Sequence, residues 1–388
     1  MSIIEVKNIT KIFGATPHKM LEKANDGVGK SEMQEKYNHA LGLHNINLSV
    51  EKGEIFVIMG LSGSGKSTLI RHFNRLIEPT GGQILVNGKD VTAMSQSELR
   101  QFRRESMSMV FQHFGLLPHK TVLENAAYAQ TIMGIDKKTA YEKGREWLEL
   151  VGLAGYEDSY PKQLSGGQQQ RVGLARALAA DTDIILMDEA FSALDPLIRS
   201  QMQEQLLELQ EKFNKTIVFI THDLSEALRI GSRIAILNEG KMAQIGTPEE
   251  ILSNPADDYV TEFVKDVNHA SVLNVGALMA KPRMCLEHES VSEAIAKIKE
   301  LSRQWAWLVD NEHYQGLLTL ENLEQAAQSN PDATLSDVAV YPQTFSADTS
   351  IEEIVPVAIG NKYPIPILHD DGSFVGVVRP LAVVNAIS

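Results

Sequence analysis

Cysteine is almost missing from this chain: among 388 residues there is only Cys285. One thiol excludes an internal disulfide, a cysteine zinc cluster and a redox pair. As a small side chain it is expected in a core or at its edge. Long apolar runs are also missing. No stretch of 18 apolar residues occurs, so no membrane-crossing helix is expected. The opening Met1-Ser2-Ile3-Ile4-Glu5-Val6-Lys7 lacks the basic lead and apolar stretch of a secretory signal. Positive charge is scarce, with 36 Lys+Arg against 50 Asp+Glu and a net of −14. That balance argues against a nucleic-acid partner and against adhesion to anionic lipid by charge alone. Membrane association would have to come through a protein partner. An apolar content of 43% is enough for real cores, and the length suggests two or three domains.

What is present centres on phosphate. The apolar run Ile55-Phe56-Val57-Ile58-Met59 leads into Gly60-Leu61-Ser62-Gly63-Ser64-Gly65-Lys66-Ser67-Thr68. This reads as a buried strand, a glycine-rich turn and a helix start, in the pattern G-x-x-x-x-G-K-[ST]. Backbone N–H groups of such a turn converge on phosphate oxygens. Lys66 is expected to reach the β and γ phosphates and Ser67 to hold Mg²⁺. A second buried strand, Asp183 to Asp188, ends in two carboxylates, Asp188 and Glu189. Asp188 is expected in the Mg²⁺ shell, and Glu189 is expected to polarise a water aimed at the γ phosphate. The strand Thr216 to Ile220 ends in Thr221-His222-Asp223, where His222 suits a γ-phosphate oxygen or the water. Finally, Leu164-Ser165-Gly166-Gly167-Gln168 opens a helix expected to continue to about Ala180. Its free N–H groups and dipole make another anion site. Two phosphate sites in one chain can serve one nucleotide each if two chains pair head to tail, the loop of one copy opposite Ser165 of the other. The chain is therefore expected to bind and hydrolyse a nucleoside triphosphate.

The chemistry falls in a first domain expected over residues 1–265. There Ile3 to Val6 and Leu43 to Val50 alternate like strands at a sheet edge. A long polar connection, Lys19 to Lys36, separates them, and its residues 30–36 suit a short surface helix. Ser97 to Arg104, Thr139 to Val151 and Gln201 to Phe213 read as helices, and Arg233 to Leu237 as another buried strand. Apolar strands alternating with helices imply a mainly parallel sheet covered on both faces. Residues 270–388 carry an internal repeat at an offset of 60. Pro282 pairs with Pro342, Ser290 with Ser350, Glu293 with Glu353, Asp310 with Asp370 and Gly316 with Gly376. Each unit, about 272–330 and 331–388, reads as helix, strand, turn, strand, helix, burying its apolar face against its twin. Residues 271–388 hold 7 Lys+Arg and 15 Asp+Glu, a net of 7 − 15 = −8, more than half of the chain's excess.

Leu164 to Gln168, together with Gly60 to Thr68, Leu186-Met187-Asp188-Glu189 and His222, resembles the ATP-binding subunit of an ABC transporter. The resemblance covers nearly all of the first domain. It implies an α/β P-loop ATPase fold with a helical subdomain at about 112–180, using ATP and Mg²⁺. Within it Gln112 corresponds to the glutamine that contacts Mg²⁺ and relays to the transmembrane subunit. Ser192-Ala193-Leu194-Asp195 corresponds to the loop that crosses the dimer, and Phe13 to the aromatic that stacks on adenine. The paired repeats are similar to tandem cystathionine-β-synthase (CBS) domains, an α+β pair. ABC ATPases with such a tail resemble osmoprotectant importers for glycine betaine and proline, and the insert near residues 19–36 fits that subfamily. The resemblance implies a second copy of the chain, two permease subunits and an external osmolyte-binding protein. It also implies a place on the cytoplasmic side of the inner membrane and a CBS pair that senses either ionic strength or an adenine-containing ligand such as an adenine nucleotide. Choline, carnitine or an amino acid as cargo stays open, as does a soluble ATPase acting on DNA or ribosomes.

Overall fold

The protein is described from a computed structural model over residues 2–112, 114–192, 194–265, 274–330, 333–369 and 371–386. Ala193, Asp370 and the repeat boundaries at 270, 272, 331 and 388 lie outside the described residues. Contacts divide the chain into two units, Met1–Asp266 and Val267–Ser388.

Among the described residues the first unit holds ten strands: β1 (Ser2–Phe13), β2 (Ala40–Glu51), β3 (Ile55–Met59), β4 (Gly81–Val86), β5 (Lys89–Asp90), β6 (Met107–Val110), β7 (Ile184–Asp188), β8 (Thr216–Ile220), β9 (Arg233–Asn238) and β10 (Lys241–Gly246). Every residue of β3, β7 and β8 is buried, as expected of apolar, β-branched runs covered on both faces. They lie in a six-stranded sheet of order β10-β9-β3-β8-β7-β6, parallel except for β10. Its register puts Ile58 opposite Ile220 and Ile220 opposite Asp188. The segments that leave β3, β7 and β8 therefore emerge at one level of one sheet edge.

The expected mainly parallel sheet is this one. The N-terminal strands do not flank that sheet. They form a second, antiparallel sheet of order β2-β1-β4-β5. In β1 the alternation of buried Ile4 and Val6 with the more open Glu5 and Lys7 suits a sheet with one covered face. Ile4, Ile46, Val50 and Ile84 of this sheet share one core with Phe56, Ile58, Val218 and Ile220 of the other. Leu69, Ile70 and Phe73 of the helix Lys66–Phe73 belong to the same core. Cutting one such side chain to alanine costs about 2–5 kcal/mol.

Helices Val122–Ala126, Tyr128–Ile132, Lys137–Leu150 and Gly166–Ala179 pack on one another. Helix Pro196–Phe213 starts at an Asp195 cap and meets this group through Trp147 and Phe213, whose rings lie 4.9 Å apart. The 14–39 connection between β1 and β2 carries helices Leu21–Asn25 and Lys30–Tyr37. The second of these is no mere surface helix, because its Met33 is fully buried.

In the second unit, helix Val291–Glu300, strands Trp305–Asp310 and His313–Thr319 and helix Leu320–Ser329 precede helix Ile351–Gly360, strands Ile365–Leu368 and Phe374–Val378 and helix Pro380–Ala386. Three pairs of starts differ by the same amount: 351 − 291, 365 − 305 and 380 − 320 each give 60. Ser290 and Ser350 both cap a helix, accepting from the Glu293 and Glu352 N–H groups. Trp307 of the first repeat is fully buried against Val377 and Phe374 of the second. Cys285 is exposed, so of its two expected places, a core or the edge of one, the core is excluded. It alternates with buried Leu286 on a two-residue strand, so its side chain takes the open face. Among the described residues no helix is long and apolar enough to cross a membrane.

Candidate functional site

The site grows from the common level of β3, β7 and β8. Beyond β3 the chain turns through Gly60, Gly63 and Gly65, with φ of 143°, 78° and 107°. Such angles favour glycine, and two of these positions are also crowded. A Cβ on Gly60 would stand 2.2 Å from the Leu237 carbonyl oxygen, and one on Gly65 2.9 Å from the Gly42 carbonyl oxygen. At Gly63 nothing lies within 4 Å, so the loop is open on that side. The turn ends as the helix Lys66–Phe73 begins, directing its first N–H groups at the same space. A cleft of about 580 Å³ lies over it, lined by Ser62, Gly63, Lys66, Ser67, Glu189 and His222 together with Gly42, Leu61, Gly65 and Thr68. Ser64 is buried beneath the loop. Lys66 is buried too, and its Nζ donates to the Gly60 and Leu61 carbonyls at 2.8 and 3.2 Å. Burial pushes its ammonium pKa down, against the pull of Glu189 and Asp188.

Glu189 is where the separate elements meet. It follows β7 with φ of 47°. Its carbonyl accepts from the Ser192 N–H and hydroxyl, which fixes the turn. Its Oε2 accepts from Gln112 Nε2 at 3.1 Å and lies 3.7 Å from His222 Nδ1. Its Oε1 lies 4.0 Å from Lys66 Nζ. The backbone behind His222 is held by Thr221, whose Oγ1 accepts from the Asp223 N–H at 2.9 Å. A carboxylate beside a cationic lysine, an amide donor and an imidazole, in a cleft lined by phosphate-loop residues, can accept a proton from a water placed there.

Asp188, one residue earlier, is buried. Its Oδ2 accepts from Arg71 Nε and Nη2 at 3.1 and 2.9 Å, while its Oδ1 has no protein partner. With the Ser67 hydroxyl and the Gln112 amide oxygen, that orphaned oxygen could offer Mg²⁺ the oxygen ligands it takes. Among the described residues no group of three or more His, Cys, Asp or Glu could hold a metal on its own. A small protein donor set of this kind leaves the remaining coordination to phosphate oxygens and water.

The other predicted residues are brought elsewhere. Ser165 caps the helix Gly166–Ala179. Its Oγ accepts from the Gln168 N–H, and its own N–H donates to Gln168 Oε1. Ser165 and Gly166 are exposed and do not line the cleft. A Cβ on Gly167 would stand 2.8 Å from Ile198 Cγ2, so the glycine lets this helix approach the one that Asp195 caps. Asp195 is exposed as well. Phe13 closes β1 at 42% exposure, so it is not a core residue. Its ring fills the place a Cβ on Gly42 would take, and Lys11 Nζ lies 4.9 Å above it. Because Gly42 lines the cleft, Phe13 stands beside it.

Sequence reasoning missed Arg71 and Gly42. The available signal for Arg71 was a basic residue on the helix that the phosphate loop opens, and for Gly42 a glycine inside the alternating run of β2.

A family described as ABC transporter matches residues 43–192. The chain is 45% identical over 387 residues to the glycine betaine transport ATP-binding protein OpuAA of Bacillus subtilis, spanning 99% of this chain and 92% of that one. It is 43% identical to the glycine betaine/proline betaine transport system ATP-binding protein ProV of Escherichia coli, over 97% and 95% of the two chains. Among solved structures it is similar to the dimeric, post-hydrolysis ATP-binding cassette MJ0796 bound to ADP and Pi. There the TM-score is 0.54 and the identity 32%, over 63% of this chain and 98% of that one.

Proposed function

The chain belongs to the ATP-binding proteins of ABC transporters, in the group that holds the glycine betaine transport ATP-binding proteins, and from that premise we propose that it drives uptake of a quaternary-amine osmolyte such as glycine betaine. It is an ATP-hydrolysing transport subunit that uses ATP with Mg²⁺. In this reading it lies on the cytoplasmic side of the inner membrane. Two copies sit under two permease subunits, and an external binding protein delivers the cargo.

The observation that carries the catalytic part is the convergence of Gln112, His222 and Lys66 on Glu189 in a cleft over the phosphate loop. Water attacks the γ phosphorus, the bond from that phosphorus to the β–γ bridging oxygen breaks, and ADP leaves. The proton released by the water goes to the Glu189 carboxylate. Lys66 and His222 offset negative charge on the phosphoryl group in transfer. The backbone N–H groups of Gly60, Ser62, Gly63, Gly65, Lys66, Ser67 and Thr68 cradle the phosphates around the turn that Ser64 closes. Ser67, Asp188 and the carbonyl end of Gln112 would hold Mg²⁺, which would supply neutralisation of phosphate charge. Phe13 stacks on adenine.

Ser165, Gly166, Gly167 and Gln168 lie outside the chain's own cleft, which supports their use across a dimer, with Asp195 on the same junction. Each nucleotide is then gripped by the loop of one copy and Ser165 of the other. Closure on ATP and opening after hydrolysis pass through Gln112 and the helical segment that follows it to the permease.

The C-terminal unit is read as a regulatory pair of CBS domains. A cleft of about 490 Å³ is lined by Lys281, Arg283, Arg303, Arg379 and Trp305. Four of the seven cations in residues 271–388 thus surround one indole, in a stretch whose net charge is −8. That supports an adenine nucleotide as the ligand, its ring on Trp305 and its phosphates on the cations. The surrounding acidic charge gives ionic strength something to screen.

Uptake by the reconstituted complex, with labelled glycine betaine, proline, choline and carnitine at two salt levels, tests the whole reading. ATP-dependent uptake of glycine betaine that rises with salt is the expected result. Preference for choline or carnitine would change the cargo, and no ATP-dependent uptake would remove the transport role.

A further inference from the structure

The connection at residues 14–39 is far longer than two neighbouring antiparallel strands require, and long ordered loops are usually functional. It is also folded. Ala24 and Met33 are fully buried with Ile12 and Leu41 of the flanking strands, and Met20, Leu21, Val28 and Tyr37 pack against them. Both ring nitrogens of His39 are used: Nε2 accepts from the Thr16 N–H at 3.1 Å, so Nδ1 carries the proton and donates to the Tyr37 carbonyl at 2.6 Å. Asn38, in the left-handed region at φ 53°, ends the helix Lys30–Tyr37 by donating its N–H to Gln34. The insert is therefore a small platform with its own core.

The platform stands beside the nucleotide cleft. It leaves the sheet directly after Phe13 and returns just before Gly42, which lines that cleft. At the start of its second helix, half-buried Lys30 donates from Nζ to the Gly63 carbonyl at 3.1 Å. Among the described residues Lys30 makes no ion pair, while its neighbours Glu32 and Lys36 satisfy each other at 2.7 Å. The Gly63 carbonyl shares a peptide plane with the Ser64 N–H, and the two point in opposite directions. The Ser64 N–H in turn closes the Leu61–Ser64 turn, donating to the Leu61 carbonyl at 3.1 Å. Of the loop glycines Gly60, Gly63 and Gly65, Gly63 is the one where a Cβ would meet nothing within 4 Å. One charged contact from the folded insert thus holds the peptide that follows the loop glycine with open space at its Cβ position.

We propose that the 14–39 insert is a brace on the phosphate loop, and that Lys30 is a positioning residue that holds the Gly63–Ser64 peptide for the incoming triphosphate. The proposal rests on the ATP reading above and adds a residue to it. Lys30 touches the carbonyl side of the loop, so it acts on binding and not on the transferring phosphoryl group. Losing it raises the KM for ATP and leaves kcat nearly unchanged.

The test is MgATP titration of the full-length protein, by steady-state hydrolysis and by binding of a fluorescent ATP analogue. For Lys30→Ala the expected result is a KM and Kd raised about five-fold with kcat within about two-fold, the size of one lost charge-assisted contact to an exposed loop. Lys30→Arg restores most of the affinity, and Lys30→Gln falls between. Lys19→Ala, on an exposed residue of the same insert, stays at the wild-type values. Circular dichroism confirms that each variant is folded. A Lys30→Ala protein with wild-type KM and Kd overturns the brace, as does an equal fall in the Lys19 variant, which would make the effect one of general charge. A wild-type protein that neither binds nor hydrolyses ATP would instead remove the nucleotide reading itself.

Discussion

The two units treat their charged groups in opposite ways. In the first, the ionisable residues of the cleft are engaged with one another: Arg71 with Asp188, and Lys66 and His222 beside Glu189. Asp188, Glu189 and His222 stand at or just after the ends of strands with no exposed residue, and Lys66 and Arg71 lie on the helix that follows the phosphate loop. In the second, Lys281, Arg283, Arg303 and Arg379 line a cleft, are exposed, and make no ion pair among the described residues. Charges already paired with one another are arranged before a substrate arrives. Exposed charges held by nothing are screened readily and are open to an outside anion. The proposed division into a motor and a sensor would use these two opposite properties.

The sharpest test of this contrast is Glu189→Gln. It keeps the shape of the site and removes the proton acceptor, so hydrolysis should fall about a hundred-fold or more while ATP binding survives. Size-exclusion chromatography with ATP should then show a trapped dimer. A variant that hydrolyses normally and dissociates freely would break the comparison on the motor side. On the sensor side, reversing Arg283 and Arg379 together to glutamate should weaken the second class of adenine-nucleotide binding by about ten-fold. Equilibrium dialysis on the full chain would read this as the loss of one of two binding phases. A smaller, two- to three-fold effect is expected from deleting residues 270–388 and measuring transport against salt. The salt dependence should flatten, and an unchanged curve would leave the C-terminal unit as a structural element only.

Acid should separate the units by a modest amount. His72, on the helix that follows the phosphate loop, is fully buried, and burial lowers its pKa to about 4. Its Nδ1 donates to the Thr68 carbonyl at 2.5 Å, and its Nε2 has no partner. Between pH 4 and its ordinary value near 6.5 the unfolded chain binds the proton and the native chain does not. Stability therefore falls as pH drops through that window, by about 2 kcal/mol between pH 7 and pH 5 from this group. Thermal melts of the first unit should show this loss, and a variant with His72 replaced by an uncharged residue should lack it.

Continuous apolar runs made β3, β7 and β8 legible, because a strand covered on both faces has no other composition available to it. The placement of β1 and β2 was not legible. Their alternation announces one open face but does not say which strand lies beside them, and β4 opens with Gly81-Gly82-Gln83, which carries no apolar signal. At the site the strand–turn–helix around Lys66 could be read locally. The Gln112–Glu189 hydrogen bond spans 77 residues and Arg71–Asp188 spans 117, and no local pattern encodes either. The helix Lys30–Tyr37 hid its role because Met33 is its single buried residue.

Phe13 and Ala40 face each other as partners across the β1–β2 ladder. The two ends of the insert are therefore as close as the arms of a hairpin, and a two-residue turn such as Asn-Gly could join them. Excising residues 14–39 in this way would leave the strands in register. An accessory part attached at such a point can be gained or discarded in one genetic step, which makes this surface a natural place for a transporter ATPase to diverge from its relatives.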